Sequence, residues 1–347
     1  MSTIPQTTQN VAIIGAGMAG ITCANTLVQA GHSVTIFEKT RDLGGRMATR
    51  DSAFGSFDPG AQYFTVRESR FMQALEATPD VCKRWSANTI HVLDELGRVT
   101  AADRSPESHW VAVPSMKSLV SSWAATQKIE MQTRVTQVER DALAPQRWQL
   151  RTESSHATRQ VFSGFDAVVL AMPSSQAQQL LPNSIQSEVW CKQLDLVVVA
   201  PCWTLMLAFP QAMQPDLSAL GPQWNAARST HHRIAWLARE SSKPGRGTIE
   251  RWTVQASSAW SQEHLQDDSA RVEAKLCKAF AEVTGIRAEP AHVESQRWLD
   301  AKTLHPLGQS HLWDAQNGLG VCGDWCLGHR VEDAFISGLE LALAIIN

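Results

Sequence analysis

The chain has 347 residues, of which 44% are hydrophobic and 19% are charged, and its 31 basic and 34 acidic side chains give a formal net charge of −3. This length suits an enzyme of one or two closely packed domains, whereas the charge balance argues against a basic nucleic-acid-binding surface. The high apolar content argues against intrinsic disorder, and no uncharged apolar run is long enough to cross a bilayer.

The first ten residues are polar and contain neither Lys nor Arg, unlike the basic start of a secretory signal. We therefore expect a cytoplasmic protein. Its seven cysteines are scattered and odd in number, which predicts free buried thiols in a reducing compartment. Cys322 and Cys326 lack the spacing of a zinc or redox motif, so no metal site is expected.

The first recognisable elements form a βαβ unit. Val11–Ile14 is a short apolar strand, and Ile21–Ala30 is typical of a helix that ends at Gly31. Ser33–Phe37 follows as a second strand that contains β-branched residues. Together these segments make a complete βαβ unit within about 30 residues.

Further elements follow along the chain. The apolar patterns predict a hairpin over Lys128–Glu139 and Arg147–Thr152 and a central strand over Asp166–Ala171. They predict three strands of a second sheet over Leu196–Phe209, Arg233–Ala238 and Ile249–Gln255, followed by a helix over Asp267–Val283. Another strand is predicted over Gly318–Gly323 and a final helix over Val331–Ile346. The central strand is apolar without alternation, which suits a parallel strand buried on both faces.

These elements predict an α/β chain in which the second domain is α+β. A discontinuous nucleotide-binding domain would combine residues 1–66, 114–185 and 300–347. A second domain with a mostly antiparallel sheet would combine residues 67–113 and 186–299.

A glycine fingerprint lies inside the βαβ unit. Gly15 permits a tight turn, Gly17 lets the backbone approach a pyrophosphate, and Gly20 allows close packing of helix on strand. The helix would direct its N-terminal N–H groups at the phosphates. Glu38 ends the second strand, where it can accept hydrogen bonds from a ribose diol and would repel a 2′-phosphate. The sequence therefore predicts a dinucleotide site that disfavours NADP.

Two segments favour FAD over NAD in this site. Gly44-Gly45-Arg46 can bring backbone donors and a guanidinium to a pyrophosphate, and it resembles the GGR stretch of flavoprotein amine oxidases. In such flavoproteins a Gly-Asp element like that at Asp324 bonds the ribityl or phosphate region. The helix from Val331 would then direct its positive end at the flavin pyrimidine.

Longer motifs are spread from the first strand to the last helix, and together they resemble those of the bacterial renalases. They are GGRM at Gly44–Met47, FDPGAQYFT at Phe57–Thr65, WLAR at Trp236–Arg239, SKPGR at Ser242–Arg246, RWL at Arg297–Leu299 and CGDWCLGHRVE at Cys322–Glu332. The resemblance covers nearly the whole chain.

Bacterial renalases are FAD-dependent oxidases, similar in fold to p-hydroxybenzoate hydroxylase and the amine oxidases. They oxidise 2-dihydro and 6-dihydro isomers of NAD(P)H to NAD(P)+, and O2 reoxidises the flavin to give H2O2. The resemblance thus implies a Rossmann-type FAD-binding domain, non-covalent FAD and a nicotinamide dinucleotide substrate.

The resemblance also implies site residues. Gln62 and Tyr63 would be catalytic. FAD would contact Gly15, Gly17, Ala19, Gly20, Glu38, Lys39, Gly45, Arg46, Gln62, Val135, Asp324 and Val331. The substrate would contact Tyr63, Phe64, Thr65, Arg67, Trp110, Trp203, Arg239 and Trp298. Hydride transfer from a dihydropyridine needs no general base, so an aromatic pocket with a few polar groups would suffice.

Other interpretations remain open. The chain departs from the renalase pattern at Pro59 and Asp300, and Asp300 would make the pocket more negative. An amine oxidase usually places a lysine near the flavin, and the sequence singles out none. A flavin-binding protein without turnover and an NAD dehydrogenase are further alternatives. The chain contains 13 tryptophans but one tyrosine, Tyr63, which makes that position the natural one to mutate.

Overall fold

The computed structural model describes residues 8–86, 90–103, 107–154, 158–213, 222 and 224–347. Its strands in chain order are β1 (Asn10–Ile14), β2 (Ser33–Phe37), β3 (Arg50–Ser52), β4 (Gly55–Phe57), β5 (Cys82–Arg84), β6 (Ile90–Leu93), β7 (Val99–Asp103), β8 (Trp110–Ala112), β9 (Ile129–Glu130), β10 (Thr133–Arg140), β11 (Trp148–Ser154), β12 (Arg159–Phe165), β13 (Ala167–Leu170), β14 (Val198–Phe209), β15 (Ala226–Ser229), β16 (Ile234–Arg239), β17 (Glu250–Ala256), β18 (His292–His305), β19 (Leu312–Asp314) and β20 (Leu319–Val321).

The α-helices are α1 (Met18–Gln29), α2 (Ser69–Glu76), α3 (Lys117–Trp123), α4 (Ser174–Leu180), α5 (Ile185–Leu194), α6 (Ser258–Glu263), α7 (Ser269–Thr284) and α8 (Val331–Ile346). Short 3-10 helices occupy Gly45–Met47, Pro210–Met213, Glu240–Ser242 and Asp324–Cys326. Among the described residues, no helix is both long and apolar enough to cross a membrane.

The chain divides into two compact units, each built from separate segments. The first unit comprises Met1–Gly45, Val120–Val198 and Thr303–Asn347, and the second comprises Arg46–Leu119 and Val199–Lys302. Residues 46–66, which the sequence analysis assigns to the nucleotide-binding domain, fall in the second unit.

A six-stranded sheet organises the first unit, in the order β19-β20-β13-β1-β2-β9. Strands β20, β13, β1, β2 and β9 run parallel, and β19 is antiparallel to β20. Every residue of β13 is buried, which confirms the predicted central parallel strand. The predicted βαβ unit and the helix that begins at Val331 are confirmed as well.

The predicted hairpin strand Lys128–Glu139 is wrong in one respect. It is two strands, of which β9 joins the main sheet beside β2, whereas β10 forms a separate antiparallel sheet with β11 and β12. The break falls at Gln132, whose φ of 53° is incompatible with extended backbone. Its N–H donates to the carbonyl of Thr40, and that of Thr133 donates to the carbonyl of Glu38.

A seven-stranded sheet organises the second unit, in the order β18-β14-β17-β16-β15-β6-β7. The pairs β14–β17, β17–β16, β16–β15 and β6–β7 are antiparallel, whereas β15 and β6 run parallel. Helix α7 buries Val272, Leu276 and Phe280 in the same core as residues of β14 and β17. The predicted second-sheet strands and the predicted helix Asp267–Val283 are thus confirmed, with ends shifted by one or two residues.

Candidate functional site

The glycine fingerprint has the geometry that its spacing predicts. Gly15 has a φ of +112°, and its N–H donates to the carbonyl of Phe37 at 2.9 Å. A Cβ on Gly15 would lie 2.2 Å from the carbonyl oxygen of Ala171, and one on Gly20 would lie 2.0 Å from that of Gly15. A Cβ on Gly17 would meet no atom within 4 Å, so this position opens to space that a ligand can enter.

Helix α1 begins beside that open position. Its N-cap residue is Gly17, no side chain caps it, and its first turn contains no acidic residue. The backbone N–H groups at Met18 and Ala19 therefore present the positive end of the helix without a competing carboxylate of the helix itself. Such a helix end fits an anionic group such as a pyrophosphate.

The Gly44-Gly45 segment lies against the same turn. The N–H of Gly44 donates to the carbonyl of Ala16 at 3.0 Å, and Gly44 forms an isolated parallel bridge with Gly17. A Cβ on Gly45 would lie 3.6 Å from the Cα of Gly17. The two glycine-rich segments therefore form one backbone cradle within the first unit.

Glu38 is engaged with the backbone of this cradle. Its Oε2 accepts from the N–H of Ala16 at 3.0 Å, and its Oε1 accepts from the N–H and the hydroxyl of Thr40, both at 2.8 Å. The side chain is buried. The carboxylate predicted to meet a ribose thus also fixes the fingerprint turn relative to the end of β2.

A polar concavity follows Glu38 on the first unit. Lys39 lines it, and the Lys39 ammonium donates to Oε1 of Gln176 at 2.7 Å. The other lining residues are Thr40, Gln132, Arg134, Glu153 and Ser154. Val135 is buried in the core of the unit, at a register shift of β10 against β11.

The remaining predicted flavin contacts of the first unit lie near its C-terminus. Asp324 is buried at the start of the 3-10 helix that follows β20 after two residues, and its carbonyl accepts from the N–H of Gly328 at 2.7 Å. Because β1, β2, β13 and β20 are parallel, Gly15, Glu38, Ala171 and Asp324 follow their carboxyl ends at one edge of the sheet. Ligands of open α/β sheets bind at this edge.

Helix α8 begins at Val331 and carries two carboxylates in its first turn, Glu332 and Asp333. Oδ2 of Asp333 accepts from the N–H of Arg330 at 2.8 Å. Burial raises the pKa of Asp333. The negative charges of these side chains offset part of the positive potential at the N-terminus of α8, which is the helix end expected to face the flavin.

In the second unit, neighbouring residues 62 and 63 face different surroundings. Gln62 is buried, and its Nε2 donates to the carbonyls of Asp58 and of Gly60, the latter at 3.1 Å. Its Oε1 accepts from the Lys243 ammonium at 3.4 Å. The whole amide of Gln62 is therefore used within the unit.

Tyr63 belongs to an aromatic group that we call the Tyr63 cluster. Its ring centroid lies 4.5 Å from that of His109 in an edge-on contact, 5.6 Å from that of Trp236 and 6.3 Å from that of Trp85. Tyr63 itself is half-buried, whereas the other three members are buried. The indole N–H of Trp236 is buried without an acceptor among the described residues.

Four charged side chains behind Gln62 form a group that we call the buried ion cluster. The Lys243 ammonium lies 3.3 Å from Oδ2 of Asp58 and 2.9 Å from Oε2 of Glu240. Nη2 of Arg246 lies 2.5 Å from Oδ2 of Asp58. All four side chains are fully buried. Two carboxyl groups thus face two cations, as buried charges require.

The two carboxyl groups of the cluster have opposite pKa shifts. Burial alone would raise the pKa of Asp58, but Lys243, Arg246 and its hydrogen bonds together lower it below its ordinary value. Burial raises the pKa of Glu240 by more than the neighbouring Lys243 lowers it. Asp58 is thus the group that holds its charge most strongly.

The two predicted substrate arginines form ion pairs. Arg67 pairs with Glu107 at a half-exposed position. Nε of Arg239 lies 3.1 Å from Oε1 of Glu250, and its guanidinium lies 5.0 Å from the ring centroid of Trp252. Arg67 is therefore the more accessible of the two to an anionic ligand.

The other predicted substrate residues differ in accessibility. Phe64 is buried and exchanges backbone hydrogen bonds with the half-buried Trp110. Trp203 is a core residue whose indole N–H donates to the carbonyl of His264 at 3.0 Å. Trp298 is half-buried, as is Thr65.

The two departures from the renalase pattern both relate to Trp298. Its indole N–H donates to the carbonyl of Pro59 at 3.2 Å, and Asp300 lies two residues further along β18. Alternate residues of a strand face the same side of the sheet. Pro59 and Asp300 therefore influence the same part of the second unit.

The sequence patterns indicate no role for the buried ion cluster or for three members of the Tyr63 cluster. Asp58, Lys243 and Arg246 do lie in the FDPGAQYFT and SKPGR motifs, which was the available signal. Each motif places a charged residue next to Pro-Gly, a combination typical of exposed turns. Their burial depends on pairing between distant segments, which periodicity does not reveal.

Comparison with known families gives two matches that together span most of the chain. Residues 13–77 match a family model described as an NAD(P)-binding Rossmann-like domain. Residues 94–346 match the family described as flavin containing amine oxidoreductase.

Curated relatives share part of this chain. A flavin-containing monooxygenase of Arabidopsis thaliana is 30% identical over 175 residues, which are 47% of this chain and 34% of that protein. The hydroxyneurosporene desaturase of Cereibacter sphaeroides is 41% identical over 63 residues, which are 18% of this chain and 13% of that protein. The chain thus spans about a third or less of these relatives.

Solved structures match over nearly the full length. A candidate protoporphyrinogen oxidase from Exiguobacterium has a TM-score of 0.76 at 14% identity, covering 98% of this chain and 99% of that one. Cyclohexylamine oxidase from Brevibacterium oxydans has a TM-score of 0.73 at 12% identity, with the same coverage. Together with the family matches, these likenesses confirm the predicted fold class, a Rossmann-type α/β domain with a second, mostly antiparallel sheet domain.

Proposed function

The chain belongs to the flavin-containing amine oxidoreductase family, and we propose that within this family it is an FAD-dependent oxidase of the bacterial renalase type. Its substrates would be 2-dihydro or 6-dihydro isomers of NAD(P)H, and its products NAD(P)+ and H2O2. The motifs that resemble the renalases support this proposal because they extend through both units.

The cradle of the first unit fits the pyrophosphate of FAD. Gly17, Ala19, Gly20 and Gly45 would bind the phosphates non-covalently through backbone N–H groups, and Gly15 would form the tight turn that places them. Glu38, Lys39, Val135, Asp324 and Val331 of the same unit would contact the rest of the cofactor. When bound, FAD would supply a hydride acceptor that O2 reoxidises.

The observation that carries the substrate proposal is the buried indole N–H of Trp236 beside the Tyr63 ring. Aromatic faces suit a planar, neutral dihydropyridine ring. A buried donor without an acceptor costs free energy, which a carbonyl oxygen of the ligand would recover where ligand binding opens access to the N–H. The carboxamide of a dihydronicotinamide has such an oxygen. An alkylammonium has only donors, so it would leave the Trp236 N–H unsatisfied.

The protein residues would act by holding the ring and excluding water. Tyr63 and Trp236 would fix its plane, and Gln62 would keep the segment that bears Tyr63 in place. The nitrogen lone pair of a dihydropyridine drives hydride loss, so no side chain need remove a proton. A half-exposed Arg67 would meet a phosphate of the dinucleotide.

A Trp236→Phe variant tests the proposed carboxamide contact. It keeps an aromatic ring and removes the N–H, so the substrate concentration for half-maximal flavin reduction should rise about tenfold. Trp148→Phe is the matched control, because the Trp148 N–H donates to the carbonyl of Asn317 in the first unit. The control should alter stability without altering substrate affinity. Unchanged affinity in Trp236→Phe would count against this substrate class.

A further inference from the structure

Lys243 is an unusual lysine, because its side chain is fully buried and contacts carboxylates, an amide and an aromatic ring. Its ammonium lies 2.9 Å from Glu240, 3.3 Å from Asp58, 3.4 Å from Oε1 of Gln62 and 5.6 Å from the centroid of the Trp85 ring. It therefore connects the buried ion cluster to both Gln62 and the Tyr63 cluster. We propose that Lys243 is a positioning residue that fixes the Gln62 amide and, through it, the placement of Tyr63.

The first step of the argument concerns the orientation of the Gln62 amide. An ammonium group donates hydrogen bonds and accepts none, so it requires the amide oxygen. The carbonyls of Asp58 and Gly60 accept and do not donate, so they require the amide nitrogen. The two ends of the amide therefore face partners of opposite kind. Without Lys243, the oxygen end loses its donor, and the amide is held from its nitrogen end.

The second step concerns what holds Lys243. Oδ1 of Asp58 accepts from the hydroxyl of Thr49 and from the N–H of Met116, both at 3.0 Å, which fixes this carboxylate. Oε1 of Glu240 accepts from the hydroxyl of Thr253 at 2.6 Å. Both carboxyl partners of Lys243 are thus held by other segments of the second unit. The ammonium is confined to one place from which it reaches Gln62.

The third step links Gln62 to Tyr63. Gln62 and Phe64 are buried, whereas the intervening Tyr63 is half-buried and contacts the aromatic cluster. In extended backbone, successive side chains point to opposite sides, and the burial of residues 62–64 alternates in this way. Anchoring Gln62 therefore sets how far Tyr63 projects on the other side. The indole N–H of Trp85 donates to the hydroxyl of Ser242, which precedes Lys243, so the segment that bears Lys243 also fixes the wall beside Tyr63.

The single tyrosine of the chain gives a readout that does not depend on any substrate. Incorporation of 3-fluorotyrosine yields one 19F signal, from Tyr63. Lys243→Met and Gln62→Met should each shift or split this signal in the FAD-loaded protein, and the double variant should resemble Gln62→Met. Lys275→Met is the control, because Lys275 pairs with Asp267 at 3.1 Å on the same unit away from this cluster. A Lys243→Met signal at the wild-type position would overturn the proposal.

A double-mutant cycle on the limiting rate of flavin reduction by the dihydronicotinamide isomers tests whether Lys243 acts through Gln62. This part rests on the proposed function. Lys243→Met alone should lower that rate about tenfold with little change in substrate affinity. In the Gln62→Met background the same change should cost less than about twofold. Equal losses in both backgrounds would mean that Lys243 acts independently of Gln62, which contradicts the proposal.

The two readouts separate the possible failures. If neither isomer reduces the wild-type flavin, the proposed substrate is wrong, and the 19F comparison still decides the positioning role. If Lys243→Met does not yield folded protein, the 19F comparison is made with Lys243→Arg and Gln62→Met instead. Lys243→Arg keeps a donor-only cation and should keep the wild-type 19F position, whereas Gln62→Met should displace it. The reverse pattern would overturn the proposal.

Discussion

Oε2 of Glu38 accepts a hydrogen bond of 3.0 Å from the backbone N–H of Ala16, which ties the end of β2 to the fingerprint turn. The same carboxylate accepts two further bonds from Thr40. A buried carboxylate with three donors is a rigid support. Glu38 thus organises the cradle in addition to any contact with a ribose.

Replacing Glu38 should weaken flavin retention for this reason. Glu38→Ala leaves the N–H of Ala16 without its acceptor, and the bound flavin remaining after desalting should fall severalfold. Asp42→Ala is the control, since Asp42 is a nearby acidic residue that pairs with the exposed Arg41. Flavin content equal to wild type in Glu38→Ala would refute the role of this side chain in the cofactor site.

Two fingerprint glycines should respond differently to alanine. A Cβ on Gly20 would clash with the Gly15 carbonyl at 2.0 Å, so Gly20→Ala should lower stability by about 1–3 kcal/mol. A Cβ on Gly17 meets no protein atom within 4 Å, so Gly17→Ala should keep its thermal midpoint and lose flavin affinity. Thermal unfolding and flavin titration of the apoproteins measure both effects. Wild-type flavin affinity in the Gly17→Ala protein would indicate that the pyrophosphate binds elsewhere.

The elements around the fingerprint could be predicted because their signals are local. Apolar strands, a glycine at the end of α1 and apolar spacing in α8 lie within short windows of sequence. The division of Lys128–Glu139 into β9 and β10 could not be predicted. It depends on hydrogen bonds from Gln132 and Thr133 to the carbonyls of Thr40 and Glu38, which are distant in sequence.

The buried ion cluster was unpredictable for a related reason. Charged side chains are ordinarily exposed, and each can be buried only when its partner is present. Asp58 and Lys243 are 185 positions apart, so neither segment alone signals the pair. Similarly, the tryptophan count did not indicate that Trp85 and Trp236, rather than Trp203, would contact the one tyrosine.

Arg67 offers a test of dinucleotide binding. Arg67→Ala should raise the substrate concentration needed for half-maximal flavin reduction, because a phosphate contact is lost. Its ion pair with Glu107 is half-exposed, so stability should change by less than about 1 kcal/mol. Arg70→Ala is a matched control, since Arg70 forms a comparable pair with Glu68 at 3.0 Å. If both variants raised the substrate concentration for half-maximal flavin reduction equally, the proposed phosphate contact of Arg67 would be contradicted.

The two carboxyl groups of the buried ion cluster should give opposite pH dependences of stability. The pKa of Asp58 is lowered in the folded state, so its contribution is present above its unfolded pKa and is lost as the pH falls through the folded value. Asp58→Asn should therefore cost most at neutral pH, about 3–5 kcal/mol, and less in acid.

Glu240 has a raised folded pKa, so its contribution is present in acid and is lost as the pH rises through that value. Relative to wild type, Glu240→Gln should accordingly become more stable as the pH rises. Thermal midpoints of wild type and both variants, measured from mildly acidic to neutral pH, test these slopes. If the thermal midpoints of the two variants, relative to wild type, changed with pH in the same direction, the opposite pKa shifts of Asp58 and Glu240 would be contradicted.

The most direct test of the proposed activity is anaerobic mixing of the purified FAD-loaded protein with 2-dihydro-NAD, 6-dihydro-NAD and a panel of primary amines, followed by admission of air. We predict that at least one dihydro isomer bleaches the flavin absorbance and yields NAD+, that no amine does so, and that air restores the absorbance with release of H2O2. Bleaching by an amine without bleaching by either isomer would contradict the account. Reduction by an isomer without recovery in air would refute the oxidase assignment.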